Sequence, residues 1–262
     1  MSSLAIAAAI AAVLMLICWL VSLRLEDASI VDPLWPVVFV AIAWGLWLSS
    51  SGGGGRKLLL AAMVTLWGLR LSIHLTARKR GEPEDYRYAD MRRRWQPFAL
   101  WSLAIVFGLQ ALLATVVSLP LQAVLGTDEN TAVGWLDLLA GAVWAVGLVF
   151  ETVADRQLAR FRAVAANRGT VMDRGLWRYS RHPNYFGDFL VWWGIWLVAA
   201  AAGAWWTIIG PAIMTTLLVR VSGTALLERT ISQRRPGYAD YAARTSAFIP
   251  LPPRQSPSGT TE

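Results

Sequence analysis

Between Gly175 and Gly194 the chain sets Arg178, Tyr179, Arg181, His182, Asn184 and Asp188 directly ahead of an apolar run. Ionisable groups where a helix enters hydrocarbon are costly to desolvate and mark a site rather than a requirement of folding. Guanidinium groups suit planar, bidentate contact with phosphate, and imidazole transfers protons near neutral pH. A second constellation is Glu151, Asp155, Arg160 and Arg162. Steps of three to four residues put Glu151, Asp155 and Arg162 near one helical face. That face reads either as a solvated, salt-bridged helix end or as the partner of the Gly175–Asp188 segment in holding a diphosphate or ribose. A third, Asp85-Tyr86-Arg87-Tyr88, follows the basic turn Arg78-Lys79-Arg80-Gly81 and reads either as an interfacial aromatic belt or as part of a site.

Single residues add less. Arg70 and His74 lie one helical turn apart, where an arginine would snorkel and a lone histidine would pack. Asp32 precedes Pro33, the pattern of an N-cap followed by proline at the first helical position. One cysteine, Cys18, and two histidines without ligand spacing exclude an intrachain disulfide and give no reason to expect a metal.

The elements that must position these groups are membrane helices. At 56% hydrophobic and 16% charged residues, with long apolar runs, the chain reads as a polytopic all-α membrane protein. Runs of about 20 residues suffice to span the hydrocarbon core. Seven are present, at roughly 4–23, 33–50, 57–77, 98–121, 134–155, 186–202 and 205–227. The first lacks the basic flank of a secretory signal and reads as a true span. A single seven-helix domain over 1–253 is expected, with a disordered tail at 254–262 and a mobile linker at Ser49–Gly55. The segment Pro236–Pro250 predicts a short amphipathic helix followed by an extended apolar plug. Paired Gly/Pro breaks and central charges, the marks of a transport path, are missing.

Basic residues gather after the third, fifth and seventh spans, Arg229, Arg234 and Arg235 among the last group. The positive-inside rule then puts the N-terminus outside and the C-terminus in the cytoplasm. Arg56 and Lys57 are a minor violation in an outer loop. The polar segments therefore predict a site open to the cytoplasm for a charged ligand, backed by an apolar cavity.

The run Leu176–Asp188 resembles the C-terminal signature of the steroid 5α-reductase-like superfamily. From Asp32 to Pro253 the chain is similar to a bacterial membrane branch of it, through Trp67-Gly68-Leu69-Arg70-Leu71, Glu84–Tyr88, Glu151–Phe161 and Arg234–Pro250. The resemblance implies a seven-helix reductase of the cytoplasmic membrane, with NADPH in a polar cavity facing the cytoplasm and a lipid enone entering between helices. Asp155, Arg162, Tyr179, Asn184 and Asp188 match the superfamily's cofactor pattern, while Glu151 replaces an asparagine and Ala159 stands at an arginine position. Arg178 and Arg181 would join Arg162 at the phosphates, and Arg70 follows as the superfamily's arginine does. For the catalytic Glu/Tyr pair, Asp32 stands in for the glutamate, but the tyrosine position falls on Trp67. The proton donor then becomes Tyr86, Tyr88 or His182, or the substrate differs from a 3-keto steroid.

The Arg-His-Pro-x-Tyr element and Gly237-Tyr238-Ala239-Asp240-Tyr241 are also similar to isoprenylcysteine carboxyl methyltransferases, which bind S-adenosylmethionine. The expectation is an NADPH-dependent reductase of a conjugated double bond in a steroid, isoprenoid or fatty-acyl lipid. S-adenosylmethionine-dependent methyl transfer and non-enzymatic lipid binding are the alternatives. Membrane lipids and a small lipid substrate are the expected partners, with no nucleic acid.

Overall fold

A computed structural model of the chain describes residues 1–221 and 236–254. Arg229, Arg234 and Arg235 lie outside the described residues, as does the tail from 255 onward. The chain divides into two compact units, Met1–Gly141 with Ile195–Gly210, and Ala142–Gly194 with Pro211–Glu262.

Helix α1, Ser3–Leu25, starts where Ser2 accepts a hydrogen bond from Ala5 N and ends at Glu26 in the left-handed conformation. It is apolar all round, as a helix between lipid and protein should be. Ala7, Ala11, Met15, Cys18 and Ser22 form its buried stripe, while Leu16, Ile17, Leu20 and Val21 are exposed. Helix α2, Val31–Ser49, corrects the sequence reading of Asp32. Asp27 is the capping residue: it accepts from Ser29 N at 2.9 Å and starts a 3₁₀ turn, Ala28–Ile30, that leads into α2. Asp32 sits in the first turn, and its carboxylate makes no cap. Helix α3, Gly55–Lys79, meets α2 at Gly68, where a Cβ would lie 2.9 Å from Pro36 O. Only hydrogen fits there, and this lets the two backbones touch.

The Ser49–Gly55 linker, expected to be mobile, is tied down. Ser51 N donates to Asp128 Oδ1 at 2.8 Å, and the buried Lys57 ammonium donates to Ser50 Oγ, Gly52 O and Thr127 O. Arg56 forms a bidentate pair with the fully buried Asp137 at 2.9 and 3.0 Å. The two bases in this outer loop are thus consumed within the fold.

Helix α4, Tyr86–Arg94, precedes a span built from α5, Phe98–Ser102, a π turn at Leu103–Gly108 and α6, Leu109–Val117. This span closes at Ser118, short of the expected 121, and α7, Leu119–Leu125, follows with Pro120 in its first turn. Helix α8, Trp135–Ala163, runs past the expected end at 155. Helix α9, Pro183–Ala201, is continuous. The seventh run is broken into a 3₁₀ turn at Trp205–Ile208, α10 at Ile209–Thr216 and a π turn at Leu217–Val221; its remainder lies outside the described residues. Helix α11, Tyr238–Arg244, completes the series.

Five stretches among the described residues are long and apolar enough to cross a bilayer: Ser3–Leu25, Ala28–Ser49, Gly55–Lys79, Phe98–Val117 and Trp135–Ala163. The molecule is an all-α, polytopic integral membrane protein. Asn184 and Asp188 in the first turns of α9, and the interrupted backbone around α10, separate the last two runs from these five.

Candidate functional site

In the second unit α8 and α9 run antiparallel, in a register set by glycine. A Cβ on Gly187 would lie 2.4 Å from Glu151 N, one on Gly147 would lie 2.6 Å from Gly187 O, and one on Gly194 would lie 2.8 Å from Trp144 N. Close approach of this kind drives helix pairing in lipid, where no hydrophobic force separates protein from solvent. It also draws polar residues into the crossing. Asn184 Nδ2 donates to Asp155 Oδ1 at 3.1 Å, and Glu151, Asp155 and Asp188 are all buried. Pro183 opens α9, its fixed φ suited to the first helical position. The spacing of four residues on each helix places Glu151 and Asp155 along the line of Asp188 and Asn184.

The loop before α9 is clamped to α8. Gln157 Oε1 accepts from Leu176 N at 3.0 Å, and Trp177 Nε1 donates to Ala154 O at 3.0 Å. With Trp177 buried, Arg178 and Tyr179 turn to the exposed side. Helix α11 closes over the loop: the buried Tyr241 hydroxyl donates to Trp177 O at 2.6 Å. Burial, and then the neighbouring Tyr238, push that hydroxyl well above the usual tyrosine range. The expected apolar plug is present. Arg181 N donates to Ser246 O, Leu251 N to Tyr179 O and Ser180 Oγ to Phe248 O, while the Phe248 ring packs on Phe186 and Phe189. Arg254, expected to open a disordered tail, donates its N–H to Arg244 O at 2.9 Å. His182 is buried, stacked parallel to Tyr185 with ring centres 5.6 Å apart.

The arginines expected at phosphate are divided. Arg162 and Arg178 are exposed, and Arg181 is half-buried. Arg162 lines a hollow of about 190 Å³ with Asn167 and Arg168. A larger one, about 630 Å³, is bordered by Arg168, Asp173, Asp240, Tyr241 and Arg244, with Arg244 bonded to Asp173 at 2.7 Å. Asp173 and Arg168 went unread in the sequence, where only the basic character of their segment stood out. Among the described residues no group of three or more His, Cys, Asp or Glu side chains could hold a metal ion.

In the first unit the Glu84–Tyr88 motif is explained residue by residue. Glu84 accepts from Ala28 N at 2.8 Å and from Arg92 at 2.9 Å. Asp85 caps α4 by accepting from Arg87 N, and its own N–H donates to Ser29 Oγ. Arg87 bridges Asp85 and Asp32 at 2.9 and 3.0 Å, and Tyr88 Oη donates to Asp32 Oδ1 at 2.8 Å across 56 positions of sequence. Burial and the Asp32 charge push the Tyr88 hydroxyl well above the usual tyrosine range. Burial also presses Asp85 upward, but the bonds from Arg87 outweigh it and hold the carboxyl below the ordinary range. Asp27 behaves the same way, with Lys79 at 2.9 Å supplying the opposing bond. Tyr86 stands apart, 51% exposed. Arg70 and His74 are half-buried on α3, and Trp67 is fully buried against Phe39 at 6.0 Å. Of the four expected catalytic residues, Asp32 and Tyr88 are therefore brought into contact. The role of Arg87 was not legible, because its two partners come from separate segments.

Residues 18–245 match the family described as "Protein of unknown function (DUF1295)". The uncharacterized protein C594.04c of Schizosaccharomyces pombe (strain 972 / ATCC 24843) is 26% identical over 266 residues, covering 89% of this chain and 76% of that protein. No solved structure matches the chain. The matched region runs from within α1 to the end of α11 and takes in both the Asp32–Tyr88 and the Asp155–Asn184 contacts; the chain is a member of the DUF1295 family of membrane proteins.

Proposed function

We propose that this protein is an NADPH-dependent reductase of the cytoplasmic membrane, acting on a conjugated carbon–carbon double bond in a steroid, isoprenoid or fatty-acyl lipid. The observation that carries this reading is the Asp155–Asn184 hydrogen bond inside a glycine-packed helix crossing, flanked by the buried Glu151 and Asp188. Three buried carboxylates and the half-buried Asn184 gather at one crossing, and ionisable groups within a membrane bundle mark a site by default. The donor set fits a dinucleotide: carboxylate and amide for ribose hydroxyls or a carboxamide, guanidinium for phosphate. NADPH, when bound, supplies the hydride.

The chain's own share is orientation and polarisation. Asp155 and Asn184 would hold the ribose or carboxamide, and Arg162, Arg178 and Arg181 the phosphates. Of the proton-donor candidates, His182 lies in the same unit as the Asp155–Asn184 pair, buried and stacked on Tyr185, while the Tyr88 hydroxyl already donates to Asp32 and Tyr86 is exposed. A positioned donor of this kind polarises an acceptor carbonyl. Seven crossings, with the N-terminus outside and the basic segments in the cytoplasm, complete the proposal.

A second reading, methyl transfer from S-adenosylmethionine, draws support from Tyr241, whose hydroxyl fastens the Gly237–Tyr241 helix to Trp177 and Ser180 beside Arg181-His182-Pro183. Thermal stability of the purified protein in detergent separates the two. NADPH at a hundredfold excess over its dissociation constant should stabilise by about 2.7 kcal/mol. Asn184→Ala and Asp155→Ala should each remove that shift. Stabilisation by S-adenosylmethionine alone selects the methyltransferase, and stabilisation by neither selects a lipid-binding protein.

A further inference from the structure

Helix α4 is tethered at both ends to membrane spans, by residues 80–85 after α3 and residues 95–97 before α5. Nine residues of helix measure about 13.5 Å, so this segment cannot leave the membrane face. Its inward side is already satisfied. Arg87 is held by Asp32 and Asp85, Arg92 by Glu84 and the Phe98 ring at 4.3 Å, and Lys79 by Asp27. Four arginines remain on the outside: Arg78, Arg80, Arg93 and Arg94. The side chains of Arg93 and Arg94 are 72% and 75% exposed and share the one carboxylate of Asp90. Among the described residues Arg78 and Arg80 form no salt bridge. Next to them Trp95 and Trp101 are 41% and 50% exposed, with ring centres 6.3 Å apart.

We propose that this corner, from the end of α3 through α4 to the start of α5, is a docking surface for anionic phospholipid headgroups. The four exposed guanidinium groups outnumber the exposed Glu82 and the half-buried Asp90, and this surplus matches the charge of the occupant. Indole rings settle at headgroup level, so the paired tryptophans set the depth at which the arginines meet phosphate. Clustered bases next to a span attract acidic lipids by charge, an interaction that salt screens. The arginines involved lie outside every residue assigned to the reductase reading, so the inference stands whether or not that reading does.

The test uses the full-length protein in lipid nanodiscs and compares quenching of tryptophan fluorescence by brominated phosphatidylglycerol and by brominated phosphatidylcholine. Preferential quenching by phosphatidylglycerol is expected, shrinking as salt rises from about 50 mM to about 500 mM. The variant R78Q/R80Q/R93Q/R94Q should lose the preference, and R78K/R80K/R93K/R94K should keep it. Equal quenching of the wild type by the two lipids would overturn the proposal. So would a preference that the lysine variant loses, one that ignores salt, or one that soluble glycerol 3-phosphate displaces, since the last would mark a site for free phosphate rather than a bilayer.

Discussion

Tyr88 and Tyr241 are buried hydroxyls that each hold their proton more tightly in the fold than in the unfolded chain. Their stabilising contribution is complete below the ordinary tyrosine value of about 10 and is lost as pH rises beyond it. Melting temperature measured from pH 8 to 11 should fall along an alkaline limb, and Tyr241→Phe should make that limb shallower. At neutral pH the same change should cost about 1 kcal/mol for the lost bond to Trp177 O. Asp85 acts at the other end of the scale. Its lowered carboxyl pKa gives stability present above its ordinary range and lost as the medium acidifies. The Arg56–Asp137 pair is a sharper probe, because Asp137 is fully buried. Asp137→Ala leaves the largely buried Arg56 without its bidentate partner and should cost about 3–5 kcal/mol, whereas replacing both by apolar residues of similar volume should cost far less. Thermal melts of the two variants in detergent check this.

At the scale of elements, the α8–α9 crossing depends on hydrogen at three positions. Gly187→Leu would drive a side chain into the Glu151 backbone and should destabilise by more than the about 1–3 kcal/mol of ordinary overpacking. It should also part Asn184 from Asp155. Gly141→Ala meets nothing within 4 Å and should leave stability unchanged or slightly raised, which makes it the matched control. The sequence marked Gly187 only as part of a motif, since a glycine's partner on another helix has no local signature. The motif Glu84–Tyr88 was legible as unusual for the opposite reason: charge and aromatics in a connector stand out. Its partners Asp27, Ala28 and Ser29 did not, and Asp32 was read apart from it, because the chain brings them there only through the α1–α2 turn.

For the whole molecule, the charge pattern makes a prediction about sidedness. In a cysteine-free background made by Cys18→Ala, Glu129→Cys should react with an impermeant maleimide from outside the cell, and Arg168→Cys only after the membrane is opened. The reverse labelling would invert the proposed topology. Of the two outer-loop bases, Arg56 is neutralised by Asp137, and the buried Lys57 ammonium is held by carbonyl oxygens within the field of Asp128 and Glu129, so they carry little topological weight.

Hydropathy by itself determined that this is an all-α protein of the membrane and where most spans begin, because an apolar run of sufficient length has few other stable fates in water. It was the superfamily resemblance that put Asp155 and Asn184 in one expected site, and the structure brings the two side chains into hydrogen-bond contact. Tertiary structure alone decided that Asp27 caps the 3₁₀ turn leading into α2 while Asp32 lies inside the helix, that Arg87 joins Asp32 to Asp85, and that Arg162 and Arg178 face outward. Each of those outcomes depends on which segment a side chain meets across space, and the energy of such a meeting is not written in its neighbours along the chain.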